Sequence, residues 1–111
     1  MPGPTKLQPV AKVGDLADGA MMSVKVESTD ILLARIGDSY FAIDAWCSHE
    51  AGYLLHGALH ADLCEVECPV HEGSFDLRTG EATMPPAEDS VPAFAVKVQG
   101  DDILVGPKGD A

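Results

Sequence analysis

Apolar and polar residues alternate with a period of two toward both ends of the chain and lose that order in its middle. Met22, Val24 and Val26 alternate with Ser23 and Lys25, the signature of a half-buried strand. An apolar run from Ile31 to Ile36 is followed by Gly37-Asp38-Ser39 and then by Tyr40 to Ile43. A turn triplet between two strand-like runs predicts a hairpin. Phe94, Val96 and Val98 alternate with Ala95 and Lys97, and Gly100-Asp101-Asp102 leads into Ile103 and Val105, which predicts a second hairpin. No segment has convincing helical periodicity; Ala51 to Ala61 comes nearest, and Gly52 and Gly57 weaken it. The expected fold is all-β, an antiparallel sandwich or small barrel.

The middle zone, about residues 45–86, holds all three cysteines, all four histidines, Gly52, Gly57, Gly73, Gly80 and the pair Pro85-Pro86. Loops that carry ligands need residues that turn sharply. The chain of 111 residues therefore reads as one domain over 1–111, with a β base from about 6–44 and 87–106 and a loop-rich subdomain over 45–86.

Two short motifs lie in that subdomain. Cys47-Ser48-His49 is C-x-H, and Cys68-Pro69-Val70-His71 is C-x-x-H. Together they supply two thiolates and two imidazoles. Zinc accepts such a set in a tetrahedron, and a 2Fe-2S cluster accepts it when two His replace two Cys on one iron. The pairing favours the cluster. Zinc knuckles usually contribute like with like, C-x2-4-C and then H-x3-5-H, whereas here each loop mixes the two. A centre with both cysteines on one iron and both histidines on the other requires each loop to reach both irons. A zinc-binding structural or interaction module is the alternative from another class.

Charge narrows the partners. Seven Lys plus Arg against eighteen Asp plus Glu give a formal net charge of -11. Nucleic acid and anionic membrane surfaces would be repelled, and a partner with a basic patch would be steered in. An odd cysteine count without repeated spacing does not fit a disulfide framework. The N-terminal residues have no signal-like apolar run, and no stretch reaches the ~18 apolar residues that span a bilayer. A soluble cytoplasmic protein with reduced thiols is expected.

Cys47-Ser48-His49, Glu67-Cys68-Pro69-Val70-His71-Glu72-Gly73-Ser74-Phe75-Asp76, Thr79-Gly80 and Met84-Pro85-Pro86 resemble the Rieske ferredoxins of bacterial aromatic-ring-hydroxylating dioxygenase systems. The resemblance spans roughly residues 6–106. It implies one 2Fe-2S cluster on Cys47, His49, Cys68 and His71, and a Rieske-type sandwich or barrel base. It also implies one-electron transfer from a flavin-containing NAD(P)H-dependent ferredoxin reductase to a terminal Rieske non-haem iron dioxygenase. The protein would be a carrier, not itself an enzyme, and a monomer that docks transiently. An accessory subunit of another Rieske-containing enzyme is a further alternative. Gly52 and Val70 stand where the respiratory-complex type has a disulfide pair. Ser48 stands where many of these ferredoxins have Pro. Gly73 stands where the respiratory loop has a Ser donor to the cluster, so a potential at the low end of the Rieske range of about −150 to +300 mV is expected.

The remaining candidates are weighed by chemistry. His49 and His71 are the natural electron exit, through their unligated nitrogens. Met84-Pro85-Pro86 is expected to cover one side of the cluster, and Trp46 to shield it or to sit in the core. Cys64, with Val66, reads as a buried thiol on a strand leading to the second loop. His56 and His60 read as surface or loop histidines outside the site. Asp76 and Arg78 read as a solvated pair.

Overall fold

The computed structural model describes residues 4–47, 52–70, 73–84 and 89–108. Among the described residues ten strands form in chain order: β1 Gln8–Lys12, β2 Met21–Val26, β3 Thr29–Ile36, β4 Ser39–Asp44, β5 Ala58–His60, β6 Glu65–Glu67, β7 Ser74–Asp76, β8 Ala82–Met84, β9 Ala93–Gln99 and β10 Asp102–Gly106. They build a six-stranded sheet in the order β1-β10-β9-β4-β3-β2 and a four-stranded sheet in the order β5-β6-β7-β8. Neighbouring strands pair antiparallel throughout. The two edges of the larger sheet, β1 and β2, approach one another, so it curls toward a barrel. The all-β expectation holds, and among the described residues no α-helix occurs.

Both expected hairpins form. β3 and β4 close with Ile36 opposite Ser39, and β9 and β10 close with Gln99 opposite Asp102. Gly37 (φ 62°) and Gly100 (φ 63°) open these two-residue turns, where positive φ matches the turn to the strand twist at no steric cost. The segment after Gly52 makes a 3-10 turn, Leu54–His56, and then β5.

The run from Ile31 to Ala34 is continuously apolar because β3 is covered on both faces. Ile31 and Leu33 point into the curled sheet with Leu16, Val26, Ala42, Ile103 and Val105. Leu32 and Ala34 point outward, against Ile43, Leu54, Val66, Phe75, Leu77 and Val91. β3 thus serves as the shared wall of two cores, and the second core seats the smaller sheet on the base. On β9, Phe94 and Val96 pack inward, while Val98 is exposed: the alternation runs past the end of the core.

One turn breaks the usual chemistry. β2 and β3 join with Val26 opposite Thr29, and both linking residues are left-handed, Glu27 at φ 49° and Ser28 at φ 76°. Such turns strongly prefer glycine at the second position. Glu27 has compensation: its carboxylate accepts from Thr5 N, Thr5 Oγ1 and Gln8 Nε2, which ties the N-terminal segment across the barrel seam. No hydrogen bond of this kind involves the Ser28 side chain among the contacts seen. Ser28→Gly should therefore raise stability by about 0.5–1 kcal/mol, read as a higher urea midpoint at unchanged slope.

Candidate iron-sulfur centre

Two hairpin tips of the second core carry the expected ligands. The first tip grows from the end of β4. Trp46 and Tyr53 form an isolated antiparallel bridge, Leu54 N–H donates to Ala45 O at 2.8 Å, and Cys47 N–H donates to Gly52 O at 2.8 Å. The second tip joins β6 to β7, with Glu67 opposite Ser74 and Cys68 N–H donating to Gly73 O at 2.6 Å. Each tip is closed in the same way, by a cysteine amide bonded to the carbonyl of a glycine five residues on. The equal Cys-to-Gly spacing, Cys47 to Gly52 and Cys68 to Gly73, is its signal in the sequence, one that becomes legible only with the two hydrogen bonds in view.

Cys47 and Cys68 are both buried among Leu54, Val66, Phe75 and Leu77. Gly52 lies between them. A Cβ there would stand 2.5 Å from Cys68 Sγ, 3.1 Å from Val70 Cγ2 and 3.5 Å from Cys47 Cβ. The Cys68 sulfur and the Cys47 Cβ, from two loops, therefore border one small space that the sequence keeps clear of a side chain. This arrangement fits a metal centre bridging the loops. His49 and His71, the other expected ligands, lie outside the described residues, as do Ser48, Pro85, Pro86 and the side chain of Met84.

The other candidates fall outside the cysteine pair. Among the described residues no three His, Cys, Asp or Glu side chains gather as metal ligands, so Cys64, His56 and His60 do not complete a site with Cys47 and Cys68. Cys64 corrects one expectation. It is not on a strand but ends the turn before β6, left-handed at φ 56°. Its carbonyl accepts Leu77 N–H at 2.9 Å. It is half-buried against the second core, and burial pushes its thiol up, with Arg78 opposing. None of the three cysteines is in a disulfide. His56 is exposed, its ring edge-on to Tyr53 at 5.1 Å. His60 is half-buried, and its Nε2 lies 2.9 Å from Glu67 Oε1 across β5 and β6. Asp76 and Arg78 make a local pair at 3.2 Å that holds the turn after β7 and does not reach either ligand tip.

Trp46 is neither core nor enclosed: it is 43% exposed. Its backbone N–H donates to Asp44 Oδ1 at 2.9 Å and its Nε1–H to Asp30 Oδ2 at 3.3 Å. Burial pushes the Asp44 carboxyl above the ordinary carboxylate value; the Trp46 N–H draws it back, and Asp30 adds to the rise. Among the described residues no helix is long and apolar enough to cross a membrane.

A β base carrying two Cys-bearing hairpin tips, each with a histidine in its sequence, fits a small metal-centre protein with mixed ligands. The chain belongs to the Rieske [2Fe-2S] domain family, whose model matches residues 6–95. It is 38% identical over 103 residues to the ferredoxin component of biphenyl 2,3-dioxygenase from Rhodococcus jostii (strain RHA1), covering 93% of this chain and 94% of that one. It is 40% identical to the ferredoxin of carbazole 1,9a-dioxygenase from Nocardioides aromaticivorans IC177, with a TM-score of 0.89, covering 94% of this chain and all of that one. A ferredoxin solved in a complex of reduced oxygenase and oxidized ferredoxin in carbazole 1,9a-dioxygenase is 27% identical, with a TM-score of 0.83, covering 92% of this chain and 94% of that one. The protein is accordingly an electron carrier, not a catalyst in its own right, with one 2Fe-2S cluster held by two Cys and two His.

Proposed function

We propose that Cys47, His49, Cys68 and His71 hold the cluster, and that the protein passes single electrons from a flavin-containing NAD(P)H-dependent ferredoxin reductase to the terminal Rieske non-haem iron oxygenase of an aromatic-ring dioxygenase system. The observation that carries the ligand set is the convergence of Cys47 and Cys68 on Gly52, from two tips whose sequences each include one of those histidines. The oxygenase partner is supported by the related ferredoxin found in complex with an oxygenase.

When bound, the cluster supplies reversible one-electron chemistry, made easier than in an all-thiolate cluster because two imidazoles are neutral. The chain's own groups do the rest. The glycine carbonyls that accept the Cys47 and Cys68 amides hold each loop closed, so ligand positions change little with redox state. Leu54, Val66, Phe75 and Leu77 keep water from the cysteine side. By the resemblance, His49 and His71 would form the exit toward the partner, and Met84-Pro85-Pro86 would cover one side of the cluster. Gly73 brings no hydroxyl, which keeps the potential at the low end of the Rieske range. One electron enters and one leaves, and no bond is made or broken. The carrier is soluble, cytoplasmic and monomeric, and docks transiently.

Purified protein should be coloured and contain iron and acid-labile sulfide. Cys68→Ser should lose both, and wild-type protein should reduce an aromatic-ring oxygenase when supplied with reductase and NAD(P)H. Colourless protein containing zinc, or coloured protein unable to reduce any such oxygenase, would overturn the reading.

A further inference from the structure

Trp46 is exposed yet fixed at three points. Its amide is held by Asp44, its indole N–H by Asp30, and its ring lies 4.8 Å from that of Tyr53 at 40°. The bridge between Trp46 and Tyr53 locks the two backbones together, and the His56 ring packs against Tyr53 at 5.1 Å, nearly perpendicular to it. The result is a rigid aromatic ledge that precedes the ligand Cys47 by one residue. A surface aromatic held in one orientation loses little freedom on binding, and Trp and Tyr of this kind are the usual energetic anchors of protein interfaces.

The edge of the ledge is acidic. Asp30 gives one carboxylate oxygen to the indole, while its other lies 3.5 Å from Lys25 Nζ; Asp44 faces no cation among the ion pairs seen. The whole chain carries a formal net charge of -11. An arginine suits both features: its planar guanidinium stacks on an indole face and its N–H fork reaches a carboxylate, which a lysine ammonium does less well.

We propose that the Trp46–Tyr53 ledge, with Asp30 and Asp44 at its edge, is the anchor on which an arginine-bearing face of the terminal oxygenase docks. This rests on the carrier reading above and adds the residues that choose the partner. The ledge adjoins a ligand loop, so docking there brings the partner beside the cluster without any contribution from the far end of the barrel.

The test uses the cluster-loaded protein, purified oxygenase and purified reductase, with dissociation constants for each pair, the midpoint potential and the visible spectrum. Trp46→Ala should weaken oxygenase binding on the order of 30-fold, and Trp46→Phe by less than about 3-fold, because a flat ring remains. Asp30→Asn should weaken binding several-fold at low salt and flatten its salt dependence. Spectrum and potential should stay as in the wild type. Oxygenase binding by Trp46→Ala within twofold of wild type overturns the ledge alone. So does weakening confined to the reductase, and so does a lost cluster or shifted potential, which would make Trp46 a cover. Wild-type protein that binds no oxygenase overturns both the ledge and the carrier reading.

Discussion

Gly52→Ala should strip the protein of its cluster while leaving the β base folded. The new methyl would stand 2.5 Å from Cys68 Sγ and 3.1 Å from Val70 Cγ2, with Cys47 Cβ at 3.5 Å. Real Cβ atoms essentially never approach sulfur so closely, so the Cys68 side chain or the first tip must move. Either movement separates two cysteines that have to meet the same centre. Disturbing the supports of metal ligands commonly costs about 10–100-fold in affinity, so visible absorbance per chain should fall to well under half of the wild-type value. Gly14→Ala is the control: a Cβ there meets nothing within 4 Å, and its spectrum should match the wild type. Equal cluster content in the two variants would show that the tips are looser than their packing implies.

A second large effect is expected at Gly57, this time on the fold. Gly57 leads into β5, whose first residue, Ala58, lies opposite Glu67. A Cβ at Gly57 would overlap the Glu67 carbonyl oxygen and stand 3.2 Å from Leu54 O. All of these are backbone atoms, so no rotamer change relieves the overlap. β5 and β6 must splay apart, and the break falls one residue before Cys68. Gly57→Ala should cost about 3 kcal/mol, at the upper end of ordinary overpacking. That is a large share of the roughly 5–15 kcal/mol that holds a domain together, and should lower the melting temperature by roughly 10–20 °C. A melting temperature within about 3 °C of the wild type would contradict the tight seating of β5 on β6.

Much of the site is legible before folding because it depends on local order. Thiolate and imidazole identity, and the mixing of the two within each motif, are properties of short segments. The hairpins are equally local: Gly37 and Gly100 sit where a two-residue turn needs positive φ, and apolar alternation marks the flanking strands. Where local rules are broken, the reading falters. Cys64 looks like the start of an alternating strand with Val66, yet it is a left-handed turn residue whose carbonyl is claimed by Leu77, 13 positions along the chain. Glu27 and Ser28 adopt a conformation that their types disfavour, because strand pairing and the bonds from Thr5 and Gln8 outweigh the local cost.

The residue sequence by itself determined an all-β fold, its two ligand motifs and its acidity, since each rests on residue type, spacing or sum of charge. Tertiary structure alone decided that β3 divides two cores, that Gly52 is the clearance between Cys47 and Cys68, and that Trp46 stands rigid at the surface. Those features arise from contacts between distant segments. Whether a glycine is a turn or a gap, or an aromatic a core residue or a ledge, depends on what the rest of the chain brings to its side.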